Sequence, residues 1–279
     1  MGMTEGPMLR FLHPHALPAA LARVDLQAVT RDLVCLFRQH GATTQSHPVQ
    51  SLLHLGSFGR AVAIQVLEAP RLARIVIAHL RVPHVLAGVV VVAHPTVGLE
   101  APILVADVMV SARGRTRAYL DTVGPATREE EATAGFRARL GGALNTTGLL
   151  RLGTPAWAAP LSGGTGARLR AGIGRGGIVS EALIRYCGGY LCALDGAEPA
   201  KHVAQNLARA RAARETFRQF GHAQPLMASR FSPEVAEHFF SLLWNENGRP
   251  EDVPNHDGAR QNEKPADAPA KFGATTGVT

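Results

Sequence analysis

The sequence predicts an α/β protein built around an antiparallel sheet. Short apolar runs, most of them rich in valine, follow one another between residues 51 and 123 with tight connections, as the strands of an antiparallel meander do. Stretches with helical periodicity lie before and after this region. Hydrophobic residues make up 46% of the 279-residue chain, which is enough to build a sizeable core.

The N-terminal part of the chain divides into an arm and a helix. Residues 1–18 contain three prolines and little periodicity, which indicates a flexible arm. Apolar residues then recur at helical spacing from Leu17 to His40, and Gly41 suits the C-cap position. We expect this helix to belong to a single domain that spans residues 19–245.

Six apolar runs bounded by turn-forming residues are predicted as strands. They are Ser51–Leu55, Arg60–Leu67, Arg74–Leu80, Val89–Ala93, Ile103–Val110 and Arg117–Val123. The segment between the last two, Ser111 to Arg115, has the composition of a hairpin turn in which Gly114 takes a positive φ angle.

The C-terminal part of the chain is predicted to be helical. The predicted helices are Arg128–Leu140, Ile178–Leu194, Pro199–Phe220 and a last one from Ser232 to Trp244. In the last helix Pro233 occupies the first turn, which suits a helix start. Residues 246–279 carry almost no large apolar side chain, so we expect a disordered tail there.

One residue conflicts with its position in this pattern. Asp107 lies in the middle of the apolar run ILVADVMV, where a carboxylate costs several kcal/mol unless it is paired or protonated. Alternation places it on the same strand face as Val105 and Met109. Two interpretations stay open at this point. Asp107 is either a structural aspartate satisfied by hydrogen bonds, or a proton donor whose pKa is raised by burial.

Other motifs that carry chemistry are weak. Gly172-Ile-Gly174-Arg-Gly176-Gly177 matches the dinucleotide fingerprint, and Asp195 follows at about the right distance. The residues before it, Arg168 to Arg170, are not a buried central strand, so a glycine-rich loop is favoured. The 12 histidines include no H-E-x-x-H and no Cys/His spacing typical of zinc, so no metal site is expected.

The charge balance indicates the kind of partner. A net charge of +7 favours an acidic partner, which could be nucleic acid, an anionic membrane or an acidic protein. No apolar run reaches the length of about 18 residues that spans a membrane, and the N-terminus lacks a secretory signal pattern. We therefore expect a cytoplasmic protein without a membrane contact.

Several short motifs together carry a family resemblance. They are His94-Pro95, Ala101-Pro102-Ile103-Leu104, Asp107, Tyr119-Leu120-Asp121, Thr154-Pro155-Ala156-Trp157 through Ser162, and Ser229-Arg230-Phe231 through Leu243. In order and spacing these motifs resemble the ferredoxin-dependent bilin reductases and the related red chlorophyll catabolite reductases. The likeness covers roughly residues 50–245.

The resemblance implies a fold and a mechanism. The fold would be a three-layer α/β/α sandwich with a central, mainly antiparallel sheet, and a linear tetrapyrrole would lie between the sheet and the C-terminal helices. Electrons would come one at a time from reduced ferredoxin, with no bound cofactor, and Asp107 would protonate the pigment. An ungapped alignment places Val90 where one relative has a histidine.

The leading hypothesis is a ferredoxin-dependent reductase of a biliverdin-type bilin. Asp107 is its main proton donor, and His94 and His222 assist. The candidate substrate contacts are Arg151, Arg113 and Trp157. The alternative is a non-catalytic tetrapyrrole-binding or carrier protein on the same fold. A weaker third hypothesis is nucleic-acid binding through the arginines at 209, 211, 214 and 218, for which a solvated helix face is the favoured alternative.

Overall fold

The computed structural model describes residues 23–44, 53–54, 60–82, 85–124, 131–145, 148–162, 164–221, 223–230 and 232–244. All of these residues belong to one compact unit. The predicted N-terminal arm and C-terminal tail lie outside the described residues, and so does His222.

A nine-stranded sheet forms the centre of the molecule, and every pairing in it is antiparallel. Its strands are β1 (Thr43–Thr44), β2 (Leu53–His54), β3 (Arg60–Ala69), β4 (Leu72–Val82), β5 (Leu86–Pro95), β6 (Ile103–Ser111), β7 (Thr116–Val123), β8 (Leu150–Leu152) and β9 (Ala167–Ala171). Their order is β1-β3-β4-β5-β6-β7-β9-β8, and β2 also pairs with β3.

The run from β3 to β7 is a meander of neighbouring strands, as the sequence predicts. The β6–β7 hairpin closes through Gly114, whose φ is +69° and whose N–H donates to the Ser111 carbonyl at 2.8 Å. A residue with a side chain would be strained at this φ, so the predicted role of Gly114 is confirmed.

Six helices accompany the sheet within the described residues. They are α1 (Leu26–Gln39), α2 (Glu131–Ala143), α3 (Gly176–Asp195), α4 (Val203–Phe220), α5 (Ala223–Arg230) and α6 (Pro233–Trp244). The last begins as predicted, since the Ser232 Oγ accepts the Val235 N–H at 3.2 Å. None of the described helices is long and apolar enough to cross a membrane.

The predicted helix from Leu17 to His40 is wrong at residues 23–25, which are not helical, and its part before residue 23 lies outside the described residues. The Asp25 side chain accepts the N–H groups of Gln27 and Ala28, both at 3.0 Å, and so caps the helix. The helix therefore begins at Leu26, although apolar spacing continues towards Leu17. Periodicity located the helix, but the competing hydrogen bonds of the cap fixed its first residue.

Apolar side chains of the sheet divide between two buried clusters. The first core joins residues such as Leu104 and Ala106 to helices α1, α2 and α3. The second core joins residues such as Val90 and Val105 to helices α4, α5 and α6. The α/β class and the antiparallel sheet are confirmed, and the three-layer arrangement stays an expectation from the resemblance.

Four elements of the described chain lie where no element was predicted: β1, β8, β9 and α5. The strand β9 reads ARLRA and alternates between buried and exposed residues, so its period of two was visible in the sequence. β8 has only three residues, and α5 has eight residues with little amphipathicity. Short elements of this kind depend on tertiary pairing more than on their own pattern.

Candidate active site

Asp107 lies on the face of the sheet that carries the second core. On β6 it stands between Val105 and Met109, and both of these pack in or against that core. Its direct neighbours across the sheet are Val90 on β5 and Tyr119 on β7. Asp107 is half-buried, as the alternation of the strand predicts.

The environment of Asp107 favours its neutral form. Burial raises the pKa of the carboxyl from 3.8 to about 7, because a charged group loses hydration there. Two weaker effects lower this pKa: the Tyr119 N–H donates to Oδ1 at 3.3 Å, and Arg117 supplies a nearby positive charge. A carboxyl with a pKa near neutrality can hold a proton and release it to a substrate.

The row of residues across the sheet at Asp107 is otherwise apolar or aromatic. Ala78, Val90, Asp107 and Tyr119 stand opposite one another on β4, β5, β6 and β7. Burial raises the pKa of the Tyr119 hydroxyl above its ordinary value, so it stays protonated. Asp107 is therefore the one group of this row that titrates near neutral pH.

An aromatic cluster adjoins this row on the same face. Tyr119 stacks on Trp157, with ring centroids 6.5 Å apart, and meets Phe217 at 6.1 Å. Phe217 packs edge-on against Trp157 at 5.1 Å and lies tilted against Trp244 at 5.0 Å. Phe240 stacks on Trp244. These five rings, called the aromatic cluster below, connect β7 to helices α4 and α6.

A second carboxyl, Asp121, is fully buried beside Tyr119. Its Oδ2 accepts the Tyr119 hydroxyl at 2.8 Å, and its Oδ1 accepts the Thr122 N–H at 2.8 Å and the Ser162 hydroxyl at 2.9 Å. A Cβ on Gly166 would lie 2.4 Å from the carboxyl, so only glycine fits there. Burial raises the pKa of Asp121 to about 6, while these hydrogen bonds oppose the rise.

The hydrogen bonds continue from this carboxyl towards α3. The Thr122 and Thr165 hydroxyls lie 2.8 Å apart, and Thr165 lies 3.0 Å from the Tyr186 hydroxyl. Tyr186 belongs to the first core. The polar groups around Asp121 thus connect the two cores and fix the position of Tyr119.

His94 lies on the same face as Asp107 but far along the strand. It stands four residues beyond Val90, so it is roughly 13 Å from the position opposite Asp107. Its Nε2 lies 2.9 Å from the Leu243 carbonyl, which can only accept, so the ring donates there. The pKa of His94 is lowered to about 4, chiefly by burial and in part by the charges of Arg74 and Arg214, while the hydrogen bond to Leu243 opposes the shift.

Arg74 and His94 together hold the end of α6. The Arg74 Nη2 donates to the Leu242 carbonyl at 3.1 Å, beside the His94 bond to Leu243. Donors at a helix C-terminus satisfy carbonyls that have no partner within the helix. His94 is therefore placed as a neutral structural donor, and the structure does not bring it to Asp107.

Of the three predicted substrate contacts, one lies beside Asp107 and two do not. Trp157 lies in the aromatic cluster, next to the row that contains Asp107. Arg113 is exposed in the β6–β7 turn. Arg151 is exposed on β8 opposite Leu169, a first-core residue, so it lies on the other face of the sheet from Asp107. The structure does not bring Arg113 and Arg151 to the Asp107 row.

The glycine-rich motif forms the loop between β9 and α3 and the first two residues of α3. The strand before it is antiparallel and lies next to the edge of the sheet, unlike the central parallel strand of a dinucleotide site. Asp195 ends the 20-residue helix that follows, so it lies about 28 Å from the loop. Across the described parts of the chain, no group of three or more His, Cys, Asp or Glu side chains could hold a metal.

Comparison with known proteins identifies the fold. No family model and no curated protein matches the sequence. Phytochromobilin synthase from tomato, solved in complex with biliverdin, superposes with a TM-score of 0.62 and 13% identity, covering 80% of this chain and 83% of that one. The chain has the bilin reductase fold. PcyX superposes with a TM-score of 0.51 and 10% identity, over 77% of this chain and 95% of that chain; both are ferredoxin-dependent bilin reductases.

Within the bilin reductase fold, sequence reasoning missed two parts of the site. Asp121 and Ser162 were recognised only as motif members, and Phe217 and Trp244 were not singled out. Asp121 could have been noticed for the same reason as Asp107, because both are carboxylates within a predicted β-strand. The aromatic contacts, in contrast, join residues that are far apart in the sequence.

Asp107 is expected to make stability fall as pH rises from about 4 to about 7. The carboxyl has a pKa of about 7 in the folded protein and of 3.8 in the unfolded chain. Its contribution to the free energy of unfolding is therefore complete below pH 3.8 and is lost as the pH rises through about 7. Urea unfolding of the wild-type protein and D107N at several pH values measures this. The free energy of unfolding of the wild type should fall relative to that of D107N across this window, and parallel curves would contradict the prediction.

Proposed function

We propose that this protein reduces a linear tetrapyrrole of the biliverdin type with electrons from reduced ferredoxin. The observation that carries the proposal is Asp107, a half-buried carboxyl with a pKa of about 7 on the sheet face that packs against α4–α6. The fold supports it, since a protein of the same fold was solved with biliverdin.

The reaction adds two electrons and two protons across one double bond of the pigment. Asp107 donates the first proton to the pigment, is reprotonated from solvent, and donates the second. Ferredoxin molecules supply the electrons singly, and each becomes oxidised by one electron. No resident cofactor is required, because the donor carries the redox centre and the pigment accepts the electrons.

The aromatic cluster would form one wall of the pigment site. Flat conjugated rings stack well on Trp and Tyr side chains. A cavity between the sheet and α4 on this face has a volume of about 50 Å³, and His94 and Asn206 are among its lining residues. Ligand pockets typically measure about 300–1,000 Å³. This cavity is therefore too small to hold a linear tetrapyrrole as it stands.

Biliverdin is expected to quench the tryptophan fluorescence of the protein when it binds. The two tryptophans of the chain, Trp157 and Trp244, both lie in the aromatic cluster. Anaerobic addition of reduced ferredoxin should then shift the visible absorption of the bound pigment to shorter wavelength. Quenching without a later spectral change would exclude the reductase, and unchanged fluorescence and absorption would exclude pigment binding altogether.

One observation favours a second candidate, a non-catalytic tetrapyrrole carrier. Ala78 and Val90, the neighbours of Asp107 along the row, are apolar and supply no second proton. The carrier hypothesis predicts the fluorescence change without reduction of the pigment. The same titration therefore separates the two candidates.

A further inference from the structure

The β8–β9 end of the sheet is strongly basic. Between Glu131 and Glu181 the sequence contains no aspartate or glutamate. The same stretch contains arginines at 137, 139, 151, 168, 170 and 175. No later element adds a strand beyond β8, so this part of the chain forms one edge of the sheet within the described residues.

Two of these arginines lie on the face that carries Asp107. Arg168 stands opposite Tyr119, and Arg170 stands opposite Arg117, in the β7–β9 pairing. Arg168, Arg170 and Arg117 are all exposed. Directly opposite residues in an antiparallel pair share a face, so the positive charges extend outward from the Asp107 row.

Exposed apolar side chains lie among these charges. Leu150 stands opposite Arg170 on β8 and is 54% exposed, and Ile173 follows β9 and is 62% exposed. The Arg175 guanidinium packs against Gly148, where a Cβ would lie 2.6 Å from Nη2. Leu150, Arg168, Arg170, Ile173 and Arg175 are called the basic edge below.

The arginines of the basic edge are not neutralised within the described structure. Among the described residues His40 pairs with Asp195 and Arg218 pairs with Glu237, and neither ion pair involves this edge. The Arg168 Nε donates to the Gly153 carbonyl at 2.9 Å, which orients the side chain but leaves its charge uncompensated. A partner with negative charge would complete this surface.

We infer that the basic edge is the docking surface for a small acidic protein, the one-electron donor of the reaction. This inference rests on the proposed function. Apolar side chains surrounded by arginines are typical of protein interfaces, and the strongly exposed apolar side chains among these arginines are the aliphatic Leu150 and Ile173, which cannot stack on bases as aromatic rings do. Arg168 lies two strand spacings from Asp107, about 10 Å, so a donor bound at this edge is close to the proposed pigment site.

Charge reversal tests the inference with plant-type ferredoxin as the probe. Isothermal titration calorimetry is run on the wild type, on R168E/R170E and on R31E/R211E, a control with the same change in net charge at exposed positions on α1 and α4. R168E/R170E should bind ferredoxin at least tenfold more weakly, and the control should lose less than threefold. Raising the salt concentration should weaken wild-type binding and should affect R168E/R170E less.

The apolar part of the edge gives an independent test. Leu150→Ser should weaken ferredoxin binding about threefold or more without changing the charge. If urea unfolding shows that R168E/R170E does not fold, the Leu150→Ser variant still tests the docking surface. Equal losses in R168E/R170E and R31E/R211E, or undiminished binding by R168E/R170E and L150S, would overturn the inference.

Two further measurements separate this inference from the proposed function. Biliverdin binding by R168E/R170E should equal that of the wild type, while pigment reduction slows. If ferredoxin binds the edge but biliverdin neither binds nor is reduced, the proposed function fails and the docking surface stands. Tight binding of duplex DNA that R168E/R170E abolishes, without any binding of ferredoxin, would replace the acidic protein by a nucleic acid and overturn the inference.

Discussion

Asp107→Asn is expected to slow biliverdin reduction by about 10²–10⁴-fold and to leave pigment binding nearly unchanged. Asn has almost the same shape as Asp and keeps an oxygen that can accept the Tyr119 N–H, but it cannot release a proton. Single-turnover absorption changes with reduced ferredoxin measure the rate, and the fluorescence titration measures binding. The effect should therefore appear in the reduction rate and not in the dissociation constant.

The pH profile provides the more specific readout of the same substitution. Because burial raises the pKa of Asp107 to about 7, reduction by the wild type should slow as pH rises above 7. The residual rate of D107N should show no such step. Asp32→Asn, at an exposed position on α1, is the matched control and should behave as the wild type. A D107N protein with wild-type rate and pH profile would show that another group donates the proton.

The placement of Asp107 also explains why its environment suits an acid. Tyr119 donates only a backbone N–H to it, and Val90 on its other side donates nothing. With so few hydrogen bonds, desolvation outweighs the stabilisation of the charged form. Asp121 has three close donors, and its pKa of about 6 is accordingly lower. Asp107 on β6 and Asp121 on the neighbouring β7 thus differ in pKa because they differ in hydrogen-bond donors.

Much of the sheet could be predicted from the sequence because its strands carry their own pattern. The runs that became β3 to β7 are long, apolar and bounded by turn residues, so each is identifiable without its neighbours. β8 exists through its pairing with β9, and three residues carry no period of their own. The first residue of α1 was likewise not predictable from periodicity, because the hydrogen bond of the Asp25 side chain to the Gln27 N–H sets where the helix begins.

The site was predictable where a single residue conflicts with its surroundings. Asp107 is such a residue, because a carboxyl in an apolar strand is unusual by itself. The rings of Tyr119, Trp157 and Phe217 are ordinary core residues by pattern, and only the fold brings them together. His94 shows the reverse case: its sequence position suggested chemistry, but its hydrogen bond to Leu243 gives it a structural contact.

Asp121→Ala is expected to lower the free energy of unfolding by about 3–5 kcal/mol at pH 8, where the carboxyl is ionised. The substitution leaves the Tyr119 and Ser162 hydroxyls and the Thr122 N–H without their acceptor in a buried site. Removing a buried charge offsets part of this loss. Urea unfolding followed by tryptophan fluorescence measures the change.

Two matched variants test whether the three donors cause the loss at Asp121. Ser162→Ala removes one donor and keeps the carboxylate, so it should cost only about 1–2 kcal/mol. Asp121→Asn keeps one acceptor oxygen but presents an NH₂ to a donor. Its loss in the free energy of unfolding should therefore fall between those of D121A and S162A. Because Tyr119 stacks on Trp157, the emission of folded D121A should also differ from that of the wild type, while that of S162A should not. Equal stability of D121A and S162A would show that the Asp121 carboxylate does not hold this part of the site together.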